Sequence, residues 1–187
     1  MNWYETLKEY FPEEELKTKQ HLDTLLAEKD YYYLDCSEQH VLLYAEFPNF
    51  IFVDYMYVRG TKRHRGIGKQ LIHKLKKKGK TIILEAEPQD PNDPDTSKRL
   101  RFYSREAFHK ADCIQYTKHS LITGEKVNLD ILYWDSSGEE NEVSIYMKMI
   151  QMYEEVHTFK EFELYNDFHP KAHDAIHFAK TGRDLLS

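Results

Sequence analysis

Phe50-Ile51-Phe52-Val53-Asp54-Tyr55-Met56-Tyr57-Val58 runs directly into Arg59-Gly60-Thr61-Lys62-Arg63-His64-Arg65-Gly66-Ile67-Gly68. The first run is aromatic and β-branched, holds one carboxylate, and reads as a strand. The second is a basic, glycine-containing loop. Beyond it, Ile67, Leu71, Ile72 and Leu75 recur at helical spacing and define one buried side. Lys74, Lys76, Lys77 and Lys78 end that helix, with Gly79 as its stop. Thr81–Glu87 reads as the next strand. Strand, loop, helix and strand form a βαβ-like unit, so the two strands are expected to be parallel.

Upstream, Val41–Phe47 forms a hairpin with the Phe50 strand across Pro48-Asn49, after a short aromatic strand at Tyr31–Asp35. Trp3–Lys29 reads as two helices. Pro12 would open the second, with Glu13, Glu14 and Glu15 at its positive end. Downstream, Pro88–Asp95 is a loop, and Thr96 would cap a helix reaching about Ala107. Strands at Ile114–Ser120 and Val127–Trp134 meet at Thr123-Gly124. Ser136–Glu140 marks a boundary between a domain spanning 1–137 and a helical extension spanning 138–187. In the extension, Val143, Tyr146, Met147, Ile150 and Tyr153 form an amphipathic face.

Composition narrows the function. The chain has 187 residues and a formal charge of −6 (26 − 32), which argues against a general nucleic-acid binder. Mean hydropathy is −0.73, and no apolar run is long enough to span a membrane. The first residues do not resemble a secretory leader, and Cys36 and Cys113 are the only cysteines, so a reducing cytoplasm is expected.

The loop Arg63-His64-Arg65-Gly66-Ile67-Gly68 carries the chemistry. Between a strand and a helix, several backbone N–H groups lack intrahelical partners and point the same way. Glycines admit a ligand close to the main chain, and Arg63 and Arg65 can add charge-assisted bonds to phosphate. The segment reads as a diphosphate seat. It is not a dinucleotide fingerprint, because Leu71 stands where the third glycine belongs. It is not a Walker loop either, because Gln70 follows Gly68-Lys69 in place of a hydroxyl residue.

What remains, Arg63-x-x-Gly66-x-Gly68 after a strand ending in Val58, resembles the signature of the GNAT superfamily of N-acetyltransferases. The resemblance continues at Arg101–Phe108, where Phe102-Tyr103-x-x-x-Ala107-Phe108 is similar to the family's Phe-Tyr-x-x-x-Gly-Phe, with Ala107 replacing the glycine. It implies an α/β fold with a GNAT-like mixed sheet flanked by helices, although the family's first strand is not evident before Trp3. It also implies acetyl-CoA as cosubstrate in a cleft between the Phe50–Val58 and Thr81–Glu87 strands. The pantetheine arm would pair with backbone near Met56 and Val58, and the diphosphate would rest on Arg63, His64, Arg65, Gly66, Ile67, Gly68 and Lys69. The expected reaction is direct attack on the thioester by an amine of a small molecule or a protein. No metal and no membrane partner are expected, and the extension would form an acceptor-site wall or a homodimer contact.

A lysine-like ammonium, with a pKa of about 10.4, must lose a proton before it attacks. Asp54 is the first candidate base or relay and Glu85 the second. Either carboxylate is equally readable as a hydrogen-bonded structural group. By resemblance, Tyr103 would protonate the departing thiolate; its bland reading is one more buried tyrosine among 14. The competing functional class is a sensor that binds acyl-CoA without catalysis. His169, His173 and His177 are spaced at four, but Pro170 separates the first from any helix and no ligand set is complete.

Overall fold

A computed structural model describes residues 2–60 and 66–179. The chain runs through α1 (Trp3–Lys8), α2 (Lys19–Glu28), β1 (Tyr32–Ser37), β2 (His40–Glu46), β3 (Phe50–Val58), α3 (Ile67–Lys76), β4 (Thr81–Ala86) and α4 (Pro94–Arg105). It continues through β5 (His109–Lys110), β6 (Ile114–His119), β7 (Lys126–Trp134), α5 (Glu142–Met152), a π-helical turn (Tyr153–His157), α6 (Glu161–Tyr165), α7 (Ala172–Ala175) and β8 (Ile176–Phe178).

The mixed sheet has the order β1-β2-β3-β4-β7-β6-β8, with β5 paired to β7. Among the described residues, β3 and β4 are the only parallel neighbours, as the βαβ reading expects. Both faces of the sheet are covered, so β2 and the first half of β3 are continuous apolar runs rather than alternating ones. On one face α1, α2 and α5 bury Leu7, Leu22, Leu25, Ile145 and Met149 against Phe50 and Phe52. On the other, Leu71, Ile72 and Leu75 of α3 and Tyr103 of α4 pack on Ile51, Val53 and Ile82. Each such side chain contributes about 1.5–3 kcal/mol on burial.

Three expectations are corrected. Pro12 does not open the second helix, which begins at Lys19 under a Thr18 cap whose hydroxyl accepts from the His21 N–H. A tertiary contact overrides the local signal: the Tyr55 hydroxyl donates to the Glu15 carbonyl and accepts from the Lys17 N–H, beside a turn at Glu13–Glu15. Asp93, not Thr96, caps α4; its side chain accepts from the Asp95 N–H, with Pro94 in the first helical turn. The extension is not wholly helical, because β8 adds an antiparallel strand to β6. His169 therefore lies in a loop, His173 in α7 and His177 in β8, so the three do not share a helix face.

α4 stops in a Schellman motif. Phe108 N–H donates to the Tyr103 carbonyl and Ala107 N–H to the Ser104 carbonyl, each at 3.0 Å. The Tyr103 and Phe108 rings meet edge to face, 5.5 Å between centroids. Ala107 sits at the left-handed position, φ 58°, where a Cβ is strained by about 1–2 kcal/mol. Here lies the physical meaning of the glycine that the resemblance expects.

A β-bulge breaks the alternation of β3. Leu43 faces Tyr55 and Tyr44 faces Val53, which leaves Asp54 as the extra residue. Asp54 and Tyr55 thus face the same side as Phe52. Asp54 Oδ1 lies 2.7 Å from Lys17 Nζ and Oδ2 takes the Tyr32 hydroxyl at 2.5 Å; its side chain is fully buried.

Two stability outcomes follow from these contacts. Asp54→Ala strands the buried Lys17 ammonium and should cost about 3–5 kcal/mol in urea unfolding, whereas a loss below about 1 kcal/mol would mean the pair is solvated. Ala107→Gly should raise stability by about 1 kcal/mol in the same assay; a loss would contradict the strained cap.

Candidate active site

β3 and β4 pair from Phe50/Thr81 to Val53/Leu84 and then part, although β3 continues to Val58 and β4 to Ala86. Asp54 and Glu85 are the first residues beyond the parting point. The opening is flanked on one side by α3 and α4 and on the other by α2, the π-helical turn and the segment Glu14–Lys17.

On the α3 side, Gly66 is the N-cap in left-handed conformation, φ 73°, and has no side chain with which to cap the helix. A glycine adopts that φ without the strain an L-residue would carry. The first turn carries no acidic side chain, so no carboxylate of that turn opposes an anion at the positive end of the helix. A Cβ on Gly68 would meet Phe102 Cζ at 3.4 Å and Val58 Cγ2 at 3.9 Å, so Gly68 lets α3, α4 and the end of β3 converge. Met56 and Val58 are half-buried in the same cluster. Ile67 and Lys69 lie in the first turn of α3. Arg63, His64 and Arg65 lie outside the described residues. The lysine run is committed elsewhere: Lys74 pairs with Asp35, and Lys78 and Lys80 pair with Glu46.

Tyr103 is buried on this side, edge to face with Phe102 at 5.2 Å. Burial pushes its hydroxyl up to about 12, against the lowering effect of Arg99. Arg99, one helical turn earlier, reaches Glu87 at 2.6 Å and also bonds the Tyr10 hydroxyl. Through Arg99 the α4 side meets the end of β4.

The other side is a buried network of charge. Glu85 Oε1 takes His157 Nε2 at 2.5 Å and Oε2 lies 3.4 Å from Lys118 Nζ. Burial alone would raise the Glu85 carboxyl, but His157 and Lys118 outweigh it and hold it below the ordinary range. Asp54 behaves likewise under Lys17. Burial, then the nearby Lys17 charge, lowers His157 to about 4 and His21 to about 3, so both rings are neutral at pH 7. His21 bridges the Tyr165 hydroxyl and the Val156 carbonyl. Glu15 goes the opposite way: burial and the neighbouring Glu87 carboxyl push it up to about 7.

Among the expected site residues, Asp54 and Glu85 come together on one face, while Tyr103 stands on the other. Both carboxylates have each oxygen occupied. Sequence reading missed Lys17, His157 and Glu15. The acidic run Glu13–Glu15 was visible, but only as helix-end charge. His157 arrives from far along the chain, placed by the π-helical turn, a feature frequent at functional sites. Among the described residues, no group of three metal-ligating side chains converges, and no helix is long and apolar enough to cross a membrane.

No family model matches the chain. A curated relative does: "Putative acetyltransferase YjbC" of Bacillus subtilis (strain 168) is 49% identical over 177 residues, covering 94% of this chain and 92% of the relative. A solved structure described as a "putative acetyltransferase from GNAT family" from Bacteroides thetaiotaomicron superposes with a TM-score of 0.63 at 19% identity, over 88% of this chain and 90% of that one. NAA60 of Arabidopsis thaliana, solved with a bisubstrate analogue, gives 0.51 at 13% identity, over 71% of this chain and 91% of its own. With relatedness along nearly its whole length, the chain belongs to the acetyltransferase family of its Bacillus subtilis relative, and the parted parallel strands are part of a GNAT fold.

Proposed function

We propose that this acetyltransferase moves the acetyl group of acetyl-CoA directly onto a primary amine. The observation that carries the reading is the parting of β3 and β4 after Val53/Leu84 beside the glycine-capped start of α3. Residues Gly66–Lys69 fit a diphosphate, because the first amides of a helix lack intrahelical partners and no acidic side chain stands in that turn. The β3 backbone around Met56 and Val58 offers an edge for an extended pantetheine arm. When bound, acetyl-CoA supplies an activated thioester.

Tyr103 keeps its proton at neutral pH, since burial raises it to about 12, and it donates to the leaving thiolate. Asp54 and Glu85, the first candidates for the base, have both oxygens engaged and lowered proton affinity. We assign them to positioning: Asp54 fixes Lys17, and Glu85 orients His157. The amine proton goes instead to Glu15. This carboxyl lines the cavity between Glu14–Lys17, the β6–β7 turn and the π-helical turn. Its proton affinity near pH 7 suits a base that must be partly ionised and still willing to accept.

Acetyl-CoA binding and thiol release with a panel of primary amines test the reading together. Binding with no thiol release from any amine would favour a non-catalytic acyl-CoA sensor. Tyr103→Phe should lower kcat by about 10²-fold or more with unchanged acetyl-CoA affinity by calorimetry; a wild-type kcat removes its role. Glu15 is a base only when deprotonated, so kcat/KM should rise with pH through about 7. Glu15→Gln should lose that acid limb, and an unshifted pH profile would contradict the assignment.

A further inference from the structure

Arg99 connects the two faces of the sheet. Its helix, α4, packs Leu100, Phe102 and Tyr103 on the α3 side. Its guanidinium nevertheless reaches Glu87, the residue after β4, with Nη1 at 2.6 Å, and bonds the Tyr10 hydroxyl through Nη2. Tyr10 packs against the opposite core, where its ring lies 5.2 Å from that of Tyr57 on β3. The strands last pair at Val53/Leu84, and Tyr57 and Glu87 both lie beyond that pair. Arg99 and Tyr10 therefore link the open ends of the two strands, so the gap is bounded at its far end as well as at its root.

An arginine suits this place. Its planar fork holds two acceptors in fixed directions, whereas a lysine is a single point charge on a flexible stem. Glu87, fixed in this way, stands against Glu15, whose protonated carboxyl hydrogen-bonds it. Lys118 of β6 and Arg99 itself act on Glu15 in the opposite sense to Glu87. The other charges around Glu15 are largely spent. Lys17 is matched by Asp54 and Lys118 by Glu85. Burial lowers His21, His119, His157 and His169, and it keeps Tyr116, Tyr153 and Tyr165 protonated. Glu14 also lines the cavity, next to Glu15 in the chain. Tyr103 stands one helical turn after Arg99. The candidate acid and the candidate base are thus both tied to the Arg99–Glu87 pair.

We propose that Arg99 is a positioning residue of the transfer reaction: held by Glu87 and Tyr10, it spans the gap between the strand ends and fixes Tyr103 and Glu15 relative to each other across it. The inference rests on the reading of acetyl transfer to an amine and goes beyond it, since Arg99 donates no proton and need not touch the acceptor.

Three variants of the full-length protein separate the charge of Arg99 from its fork. The ¹³C resonance of the Glu15 side-chain carboxyl is titrated without ligand, and kcat/KM is followed against pH by thiol release. Arg99→Gln removes a cation near two carboxyls, so the Glu15 titration and the acid limb should move up by about one pH unit. Glu87→Gln removes the opposing anion, so both should move down by a similar amount. Opposite shifts are not produced by a general loss of packing. Arg99→Lys keeps the charge and loses the fork: the Glu15 titration should stay near 7, while kcat falls about tenfold or more and coenzyme A affinity by calorimetry changes less than about twofold. Glu15 titrations that move the same way in Arg99→Gln and Glu87→Gln, or in neither, overturn the proposal. So does an Arg99→Lys variant with lowered Tm and wild-type kcat. Opposite Glu15 shifts with no thiol release from any amine would support the link between Arg99, Glu87 and Glu15 and count against the transfer reading. Opposite Glu15 shifts with an unmoved acid limb would support the link and remove Glu15 as the base.

Discussion

Two parallel strands that part inside a folded protein set the terms for everything around them. β3 and β4 stop pairing after Val53 and Leu84, and the chain must then satisfy what the gap uncovers. On one side the gap leaves the edges of the two strands apart. On the other it leaves Asp54 and Glu85 buried, and a buried carboxylate survives only if paired. Lys17 comes from the segment before α2, Lys118 from β6 and His157 from the π-helical turn, each to meet that need. Three distant parts of the chain are thus drawn to one place by two charges.

The same constraint explains why proton affinities diverge so far across a short distance. Asp54 and Glu85 are surrounded by cations and stay ionised. Burial, and after it the Glu87 carboxyl, push Glu15 the other way. Groups of one chemical type are thus set apart in proton affinity by burial and by their neighbours. The network also makes α5 and the residues after it integral to the molecule. Ile145, Met149, Val156 and Ile176 are fully buried in the core that Leu22 and Phe50 occupy.

Much of this was legible in the sequence where local signals agree with the fold. The β3 boundaries, the parallel βαβ unit, the α3 face and the Gly66 junction all follow from spacing and composition. The Phe102–Phe108 motif proves to be a helix stop that fixes Tyr103 by backbone hydrogen bonds, which makes a sequence pattern readable as geometry. The rest depends on long-range contacts. Tyr55 overrides the helix signal at Pro12, and the bulge at Asp54 cannot be seen in an otherwise regular run. No spacing or motif marks His157 in the sequence; the π-helical turn aims it at Glu85. Glu15 reads as dipole-favouring charge until burial and Glu87 alter its chemistry.

The central claim is that the parted strands and the start of α3 together seat acetyl-CoA. Amide resonances of ¹⁵N-labelled protein, followed during titration with acetyl-CoA, test it most directly. The account predicts saturable shifts at Tyr55, Met56 and Ile67–Lys69, with β1 and β8 at the sheet edges unmoved. Shifts confined to those edges, or none between Tyr55 and Lys69 at millimolar excess, would contradict it.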